Sequence, residues 1–234
     1  MQIKDFTRQL EQRLDGDETV FAGVEADGIA PIQGAVPGYD PVYEASVGVA
    51  ACLEAIRGQA PVILVSGRAG TGKSRLIRYI SGLPEGARTM IVAPTGIAAL
   101  NIGASTIHAA FQLPHAMIDA RDLQHRKLGA EIRKIHRLII DEVSMVRADL
   151  LDAVDVRLRQ ARRVDRPFGG VQVILVGDFL QLPPVVRTED LSALAGLGYR
   201  TPYAFSARVM QEVPLRVITL SKVWRQSDAE LIEM

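Results

Sequence analysis

Apolar residues cluster in five short β-branched runs: PVILVS at 61–66, TMIVAP at 89–94, RLIID at 137–141, VQVILVGD at 171–178 and LRVITL at 215–220. Stretches of helical composition follow the first three: SRLIRYI, GIAALNI and a long segment through Arg163. The runs are apolar at consecutive positions rather than at every second one, as strands of a parallel sheet covered on both faces must be. The pattern predicts a doubly wound α/β domain whose ligand sits beyond the carboxyl ends of the strands. Upstream, Ile3, Phe6, Leu10 and Leu14 recur at helical spacing and predict an amphipathic helix over residues 1–15. Residues 16–42 are rich in Gly, Pro and Ala and read as an irregular lead-in, and residues 43–57 are helix-compatible. The expected division is a lead-in at 1–42 and one domain at 43–234.

Composition narrows the class. A chain of 234 residues holds one to two domains at roughly 150 residues each. With 48% hydrophobic and 23% charged residues it is neither disordered nor collagenous. No apolar run reaches the roughly 18 residues of a membrane span. The start, MQIKDFTRQLEQRLDGDE, has no apolar h-region and is not read as a secretory or transit signal. A single cysteine, Cys52, fits a reducing compartment, so the expected location is the cytoplasm or nucleoid, or the nucleus or mitochondrion of a eukaryote. Lys+Arg and Asp+Glu both number 27, so any nucleic-acid binding rests on local patches.

The first run ends in Gly67-Arg68-Ala69-Gly70-Thr71-Gly72-Lys73-Ser74, a complete phosphate-loop pattern between a strand and a helix. Its glycines let successive backbone N–H groups curl around phosphate oxygens, and the helix that follows adds its N-terminal dipole. Lys73 is expected to reach the β- and γ-phosphates of ATP and the Ser74 hydroxyl to ligate Mg2+.

The third run ends in Asp141-Glu142. Beside a phosphate loop these carboxylates read as the second half of a nucleotide-hydrolysing site, with Asp141 in the metal shell and Glu142 acting on the attacking water. Alone they would read more readily as the acidic first turn of a helix. The fourth run ends in Gly177-Asp178-Phe179-Leu180-Gln181-Leu182-Pro183-Pro184. That loop reads either as a rigid tip where Gln181 reports the γ-phosphate or as a plain strand-ending turn.

Taken in order, GRAGTGKS, APTGIAALNIGASTIHAAF, LIIDEVSMV, GGVQVILVGDFLQLPPV and VITLSKVWRQ resemble the PIF-type DNA helicases, superfamily 1 motors of 5′-to-3′ polarity. The resemblance runs from about Pro61 to the end. It implies a RecA-like P-loop NTPase fold and ATP-dependent work on single-stranded DNA, at a fork or 5′-tailed duplex, in replication, repair, recombination or telomere maintenance. It implies catalytic roles for Lys73, Asp141, Glu142 and Gln181, and makes Arg225 of VWRQ an arginine that contacts the γ-phosphate. It turns Pro94, Thr95, Gly96, His108 and Phe111 toward DNA. On the residues alone, Thr95 reads as a helix N-cap, His108 as a satisfied buried histidine and Phe111 as core.

The resemblance also makes residues 112–137 a small insertion near the duplex junction. There Arg121, Arg126, Lys127, Arg133, Lys134 and Arg137 face Asp122 and Glu131, a pattern that fits a DNA-binding patch or a solvated face. Arg157, Arg159, Arg162, Arg163 and Arg166 read as a solvated helix face. The sequence departs from the family in two places. Tyr43-Glu44-Ala45-Ser46-Val47-Gly48 lacks the glutamine that reads adenine, and Gln33 lies further upstream. The chain stops at AELIEM, so the second RecA-like domain that the resemblance implies is expected to be missing from it. Two other readings remain open: a non-motor nucleotide or DNA-binding module, and a RecD-type subunit of a nuclease complex. TGIAALNIGASTIH favours the PIF type over the latter.

Overall fold

A computed structural model describes residues 41–83, 88–124 and 128–224. The helix expected over residues 1–15, nearly all of the lead-in, and Arg126, Lys127 and Arg225 lie outside the described residues.

Six parallel strands form one sheet: β1 (Val62–Gly67), β2 (Thr89–Ala93), β3 (Ser105–Thr106), β4 (Arg137–Ile140), β5 (Gln172–Gly177) and β6 (Leu215–Leu220), in the order β3-β2-β4-β5-β1-β6. The helices are α1 (Pro41–Glu44), α2 (Val47–Arg57), α3 (Lys73–Ser81), α4 (Gly96–Asn101), α5 (Ile107–Phe111), α6 (Ala130–Lys134), α7 (Ala148–Arg162), α8 (Thr188–Gly196) and α9 (Val209–Glu212). Ser105–Thr106, too short to carry a periodic signal, adds an edge strand to the five expected.

The three central strands, β4, β5 and β1, serve both faces. Ile63, Val65, Ile139, Ile174 and Val176 pack with Val49, Cys52, Leu53 and Ile56 of α2 and Leu76, Ile77 and Ile80 of α3. Their neighbours Val62, Leu64, Leu138, Ile140, Val173 and Leu175 turn the other way, against α5, α7 and the segments around them. This two-sided burial explains the unbroken apolar runs. Cys52 is fully buried in the first layer, and burial pushes its thiol up to about 12, so it serves as packing.

The topology positions the site because β5 lies between β1 and β4. The register sets Ser66 beside Gly177 and Ile140 beside Leu175, so the three loops leaving these strands emerge together. Gly177 is required there: a Cβ would stand 3.1 Å from the Val143 nitrogen and 3.2 Å from that of Ser144.

The arginine-rich end of α7 corrects an expectation. Arg157 is 2% exposed and donates to the Gln124 carbonyl. Arg159 pairs with Asp155, Asp165 and Glu212, and Arg162 donates to the carbonyls of Gly169, Ile135 and Arg133. Only Arg163 and Arg166 of that set are exposed. On the same helix Asp149, Asp152 and Asp155 accept backbone N–H groups from Ile118, from Arg208 and Val209, and from Phe168. The charges of α7 tie down three flanking segments. The basic stretch 112–137 is likewise less free than its composition indicates. Asp119 grips Arg121 through both carboxylate oxygens, and Arg137 is buried with its Nε donating to Gln172.

Candidate functional site

The phosphate loop joins β1 to α3. Gly70 and Gly72 adopt positive φ of 78° and 89°. At Gly72 a Cβ would also meet the Tyr43 ring at 3.0 Å. The Thr71 hydroxyl donates to the Arg68 carbonyl at 2.8 Å and is buried, so it braces the loop from inside. The Lys73 ammonium donates to the carbonyls of Gly67 at 2.7 Å and Arg68 at 3.1 Å. Ala69 and Gly70 are exposed at the tip, and Ser74, at the second position of α3, is exposed beside them.

Asp141 follows β4 directly and is buried, and its Oδ1 accepts the Glu142 N–H at 2.9 Å. Burial raises its proton affinity above the usual carboxylate range, opposed by that N–H and by the Lys73 charge. The Glu142 carboxyl is raised too, first by burial and then by the Asp141 charge, with Asp178 adding to it and Lys73 opposing it. Lys73, Asp141, Glu142 and Asp178 therefore share one electrostatic neighbourhood. Glu142 stands at φ 50° and ψ 43°, a left-handed conformation that costs an L side chain about 1 kcal/mol. Such strain concentrates where a side chain must point in one direction. From the next loop the Gln181 amide donates to Asp178 at 2.9 Å.

Two aromatic residues close the other side of the loop. The Tyr43 hydroxyl donates to the Gly72 carbonyl at 2.8 Å, and the backbone N–H of Trp224 donates to the Gly70 carbonyl at 2.9 Å. Their rings meet at 5.2 Å, with the Arg75 guanidinium 4.4 Å above Tyr43 and the Lys222 ammonium 4.0 Å above Trp224. Beside them a cleft of about 270 Å³ is lined by residues 45–49, Thr71, Leu220 to Lys222 and Trp224. Tyr43 and Trp224 lie near opposite ends of the described chain. Nothing in the residue pattern signals their meeting beyond Trp224 standing next to Arg225.

The residues expected to face DNA separate. The Thr95 hydroxyl accepts the Ala98 N–H at 3.2 Å, so it caps α4. Pro94 is half-buried, and Gly96 is exposed with open space around its Cα. His108 is half-buried and stacks on His115 with ring centroids 4.3 Å apart. Phe111 must be corrected: its ring is fully buried in the core with Ile107, and no face of it is open to a base. Ile97 and Leu100 are exposed on α4.

The oxygen donors of this set, the Ser74 hydroxyl and the Asp141 carboxylate, suit a hard divalent cation such as Mg2+. Among the described residues no group of three or more His, Cys, Asp or Glu side chains could hold a metal ion, so such a cation would draw its remaining ligands from phosphate and water.

The sequence and fold have known relatives. A family model described as PIF1-like helicase matches residues 42–233. The chain is similar to the human ATP-dependent DNA helicase PIF1, with 38% identity over 192 residues, 79% of this chain and 28% of that protein. It is similar to the ATP-dependent DNA helicase RRM3 of Saccharomyces cerevisiae, with 37% identity over 181 residues, 74% of this chain and 24% of that one. Among solved structures, Bacteroides sp Pif1 in complex with ADP-AlF4 matches with a TM-score of 0.72 and 35% identity, over 80% of this chain and 44% of that one. Bacteroides Pif1 bound to ssDNA matches with a TM-score of 0.71 and 36% identity, over 80% and 44%. The chain spans about a quarter of the length of the curated relatives it matches.

Proposed function

The chain belongs to the PIF1-like helicase family, and we propose that it is the ATP-hydrolysing first motor domain of a 5′-to-3′ DNA helicase acting on single-stranded DNA. The observation that carries this reading is the meeting of Lys73, Asp141 and Glu142 beyond the strand ends, with the Gln181 loop beside them. In the proposed reaction the phosphate loop and Lys73 hold the triphosphate. Ser74 and Asp141 would hold Mg2+, which neutralises charge on the β- and γ-phosphates. Glu142, whose proton affinity burial and neighbouring carboxylates raise, takes the proton of the attacking water. Arg225, one residue beyond Trp224, would reach the γ-phosphate.

The DNA grip is assigned to the surface around Pro94, Thr95 and Gly96 and to His108. Ile97 and Leu100, exposed on α4, would lie along the same strand. A Bacteroides Pif1 bound to ssDNA supports single-stranded DNA as the partner, and a Bacteroides sp Pif1 in complex with ADP-AlF4 supports nucleotide use. A second motor domain in the parent protein and a forked or 5′-tailed substrate complete the proposal, in whichever compartment holds the cell's DNA.

The test is ATP hydrolysis by this chain, with and without single-stranded DNA, beside a version extended past Met234. DNA-stimulated turnover in the extended protein is the expected result. Nucleotide binding without stimulation in either protein would sink the motor reading in favour of a binding module.

A further inference from the structure

Asp178 is a buried carboxylate at the reacting end of the sheet to which the proposed hydrolysis gives no task. It is 6% exposed, and among the described residues it makes no ion pair with Lys, Arg or His. A carboxylate in that position must be satisfied by hydrogen bonds or be strongly destabilising. Its Oδ1 accepts the Leu180 N–H at 3.1 Å, and its Oδ2 accepts the Gln181 side-chain amide at 2.9 Å. Its carbonyl accepts the Gln181 backbone N–H at 3.0 Å. One residue thus fixes both the turn and the side chain at its tip.

The chemistry of the pair fixes its direction. A carboxylate accepts only, so the Gln181 amide can face it only through its NH2 group, since the reverse would set two acceptors against each other. The amide oxygen Oε1 is then the end with no partner among the described residues, and Gln181 is exposed.

We propose that Asp178 is a positioning residue for hydrolysis: it holds the Gln181 amide with NH2 inward, so that Gln181 offers an acceptor to the attacking water rather than a donor to the γ-phosphate. This rests on the reading of Gln181 as part of the γ-phosphate end of the site, and goes beyond it by naming the atom that works and the group that orients it. Asp178→Asn is the informative change. Asparagine keeps the size and can still accept from Leu180, but its NH2 then meets the NH2 of Gln181, and the amide turns over.

The experiment is calorimetric titration of the version extended past Met234, which carries both motor domains, with Mg-ADP alone and with Mg-ADP plus aluminium fluoride, whose tetrafluoride complex carries a water in the attacking position. Asp178→Asn and Gln181→Ala are each expected to weaken the ADP–AlF4 complex about tenfold, the size of one neutral hydrogen bond, with ADP affinity and melting temperature kept. The double variant is expected to bind no more weakly than Gln181→Ala. Additive losses, or equal loss of plain ADP in Asp178→Asn, would overturn the positioning role. A wild-type chain that binds ADP–AlF4 no more tightly than ADP, or a Gln181→Ala chain that binds it normally, would instead overturn the reading of Gln181 on which the role depends.

Discussion

Lys73 and Gly67 are joined directly: the ammonium at the start of α3 donates to the carbonyl at the end of β1, 2.7 Å away. With its second bond to Arg68, Lys73 clasps the loop to which it belongs. An ammonium has three protons, so two serve the loop and one remains for a ligand. A phosphate arriving in the loop meets a charge already held in place, and little ordering of the side chain remains. Lys73→Ala removes both the clasp and the charge. Nucleotide affinity is expected to fall by at least about a hundredfold, the loss of charge-assisted bonds to phosphate, while the fold is kept. Trp224 is the sole tryptophan and its backbone N–H is bonded to the loop, which keeps the indole beside it, so its fluorescence during nucleotide titration provides the measurement.

Glu142 sits in a conformation that its own side chain disfavours, beside Asp141, whose charge it repels. Replacing it with glycine removes the left-handed penalty and the repulsion together. Glu142→Gly is expected to be more stable than the wild type by about 1 kcal/mol, read as a higher urea midpoint, and inactive in hydrolysis. Glu142→Gln keeps the strain and the hydrogen-bonding shape. It should bind nucleotide normally and fail to turn it over in a protein carrying both motor domains. Normal hydrolysis by Glu142→Gln would remove Glu142 from the role of base.

What could be read from the sequence was what is contiguous. The phosphate loop, the acidic pair and the Gln181 loop each sit at the end of an apolar run, so pattern and chemistry point to the same place. Tyr43 and Trp224 brace the loop through contacts that only the folded sheet creates, because β6 must first dock beside β1. The arginines of α7 depart from the expected solvated face for a related reason. A charged helix face is solvated by default, and only the carbonyls of Gln124, Ile135 and Gly169 arriving from other segments turn Arg157 into a buried donor and Arg162 into a half-buried one. A signal was nevertheless present in Asp149, Asp152 and Asp155, which share a helix face at steps of three and serve as acceptors. Ile107 and Phe111, four residues apart, likewise marked one buried helix face, a sign that the resemblance outweighed.

That correction at Phe111 can be tested. A core aromatic cut to alanine costs about 3–5 kcal/mol, whereas an exposed stacking residue costs little stability and much DNA affinity. Phe111→Ala is expected to lower the urea midpoint sharply. The fraction that remains folded should bind a single-stranded oligonucleotide as the wild type does, measured by fluorescence anisotropy well below the midpoint. A stable variant with weakened DNA binding would return Phe111 to the interface.

The His108–His115 stack gives the fold a pH dependence whose sign is fixed. Burial, the adjacent His115 and the Arg147 charge together hold His108 below the usual imidazole range, with only Asp149 pulling the other way. In the unfolded chain the same ring titrates near about 6.5. Above that pH both states are neutral there and the full contribution to stability is present. As the pH falls below it, the unfolded chain takes up a proton that the folded ring resists. Stability is lost until the folded ring protonates too. The melting temperature is therefore expected to drop between about pH 7 and pH 5, the window set by the unfolded imidazole. His108→Gln, which cannot take up the proton, should flatten part of that slope while leaving the carboxylate-dependent loss at lower pH in place. An unchanged slope in His108→Gln would show that His108 titrates alike in both states, and would count against a strained stack.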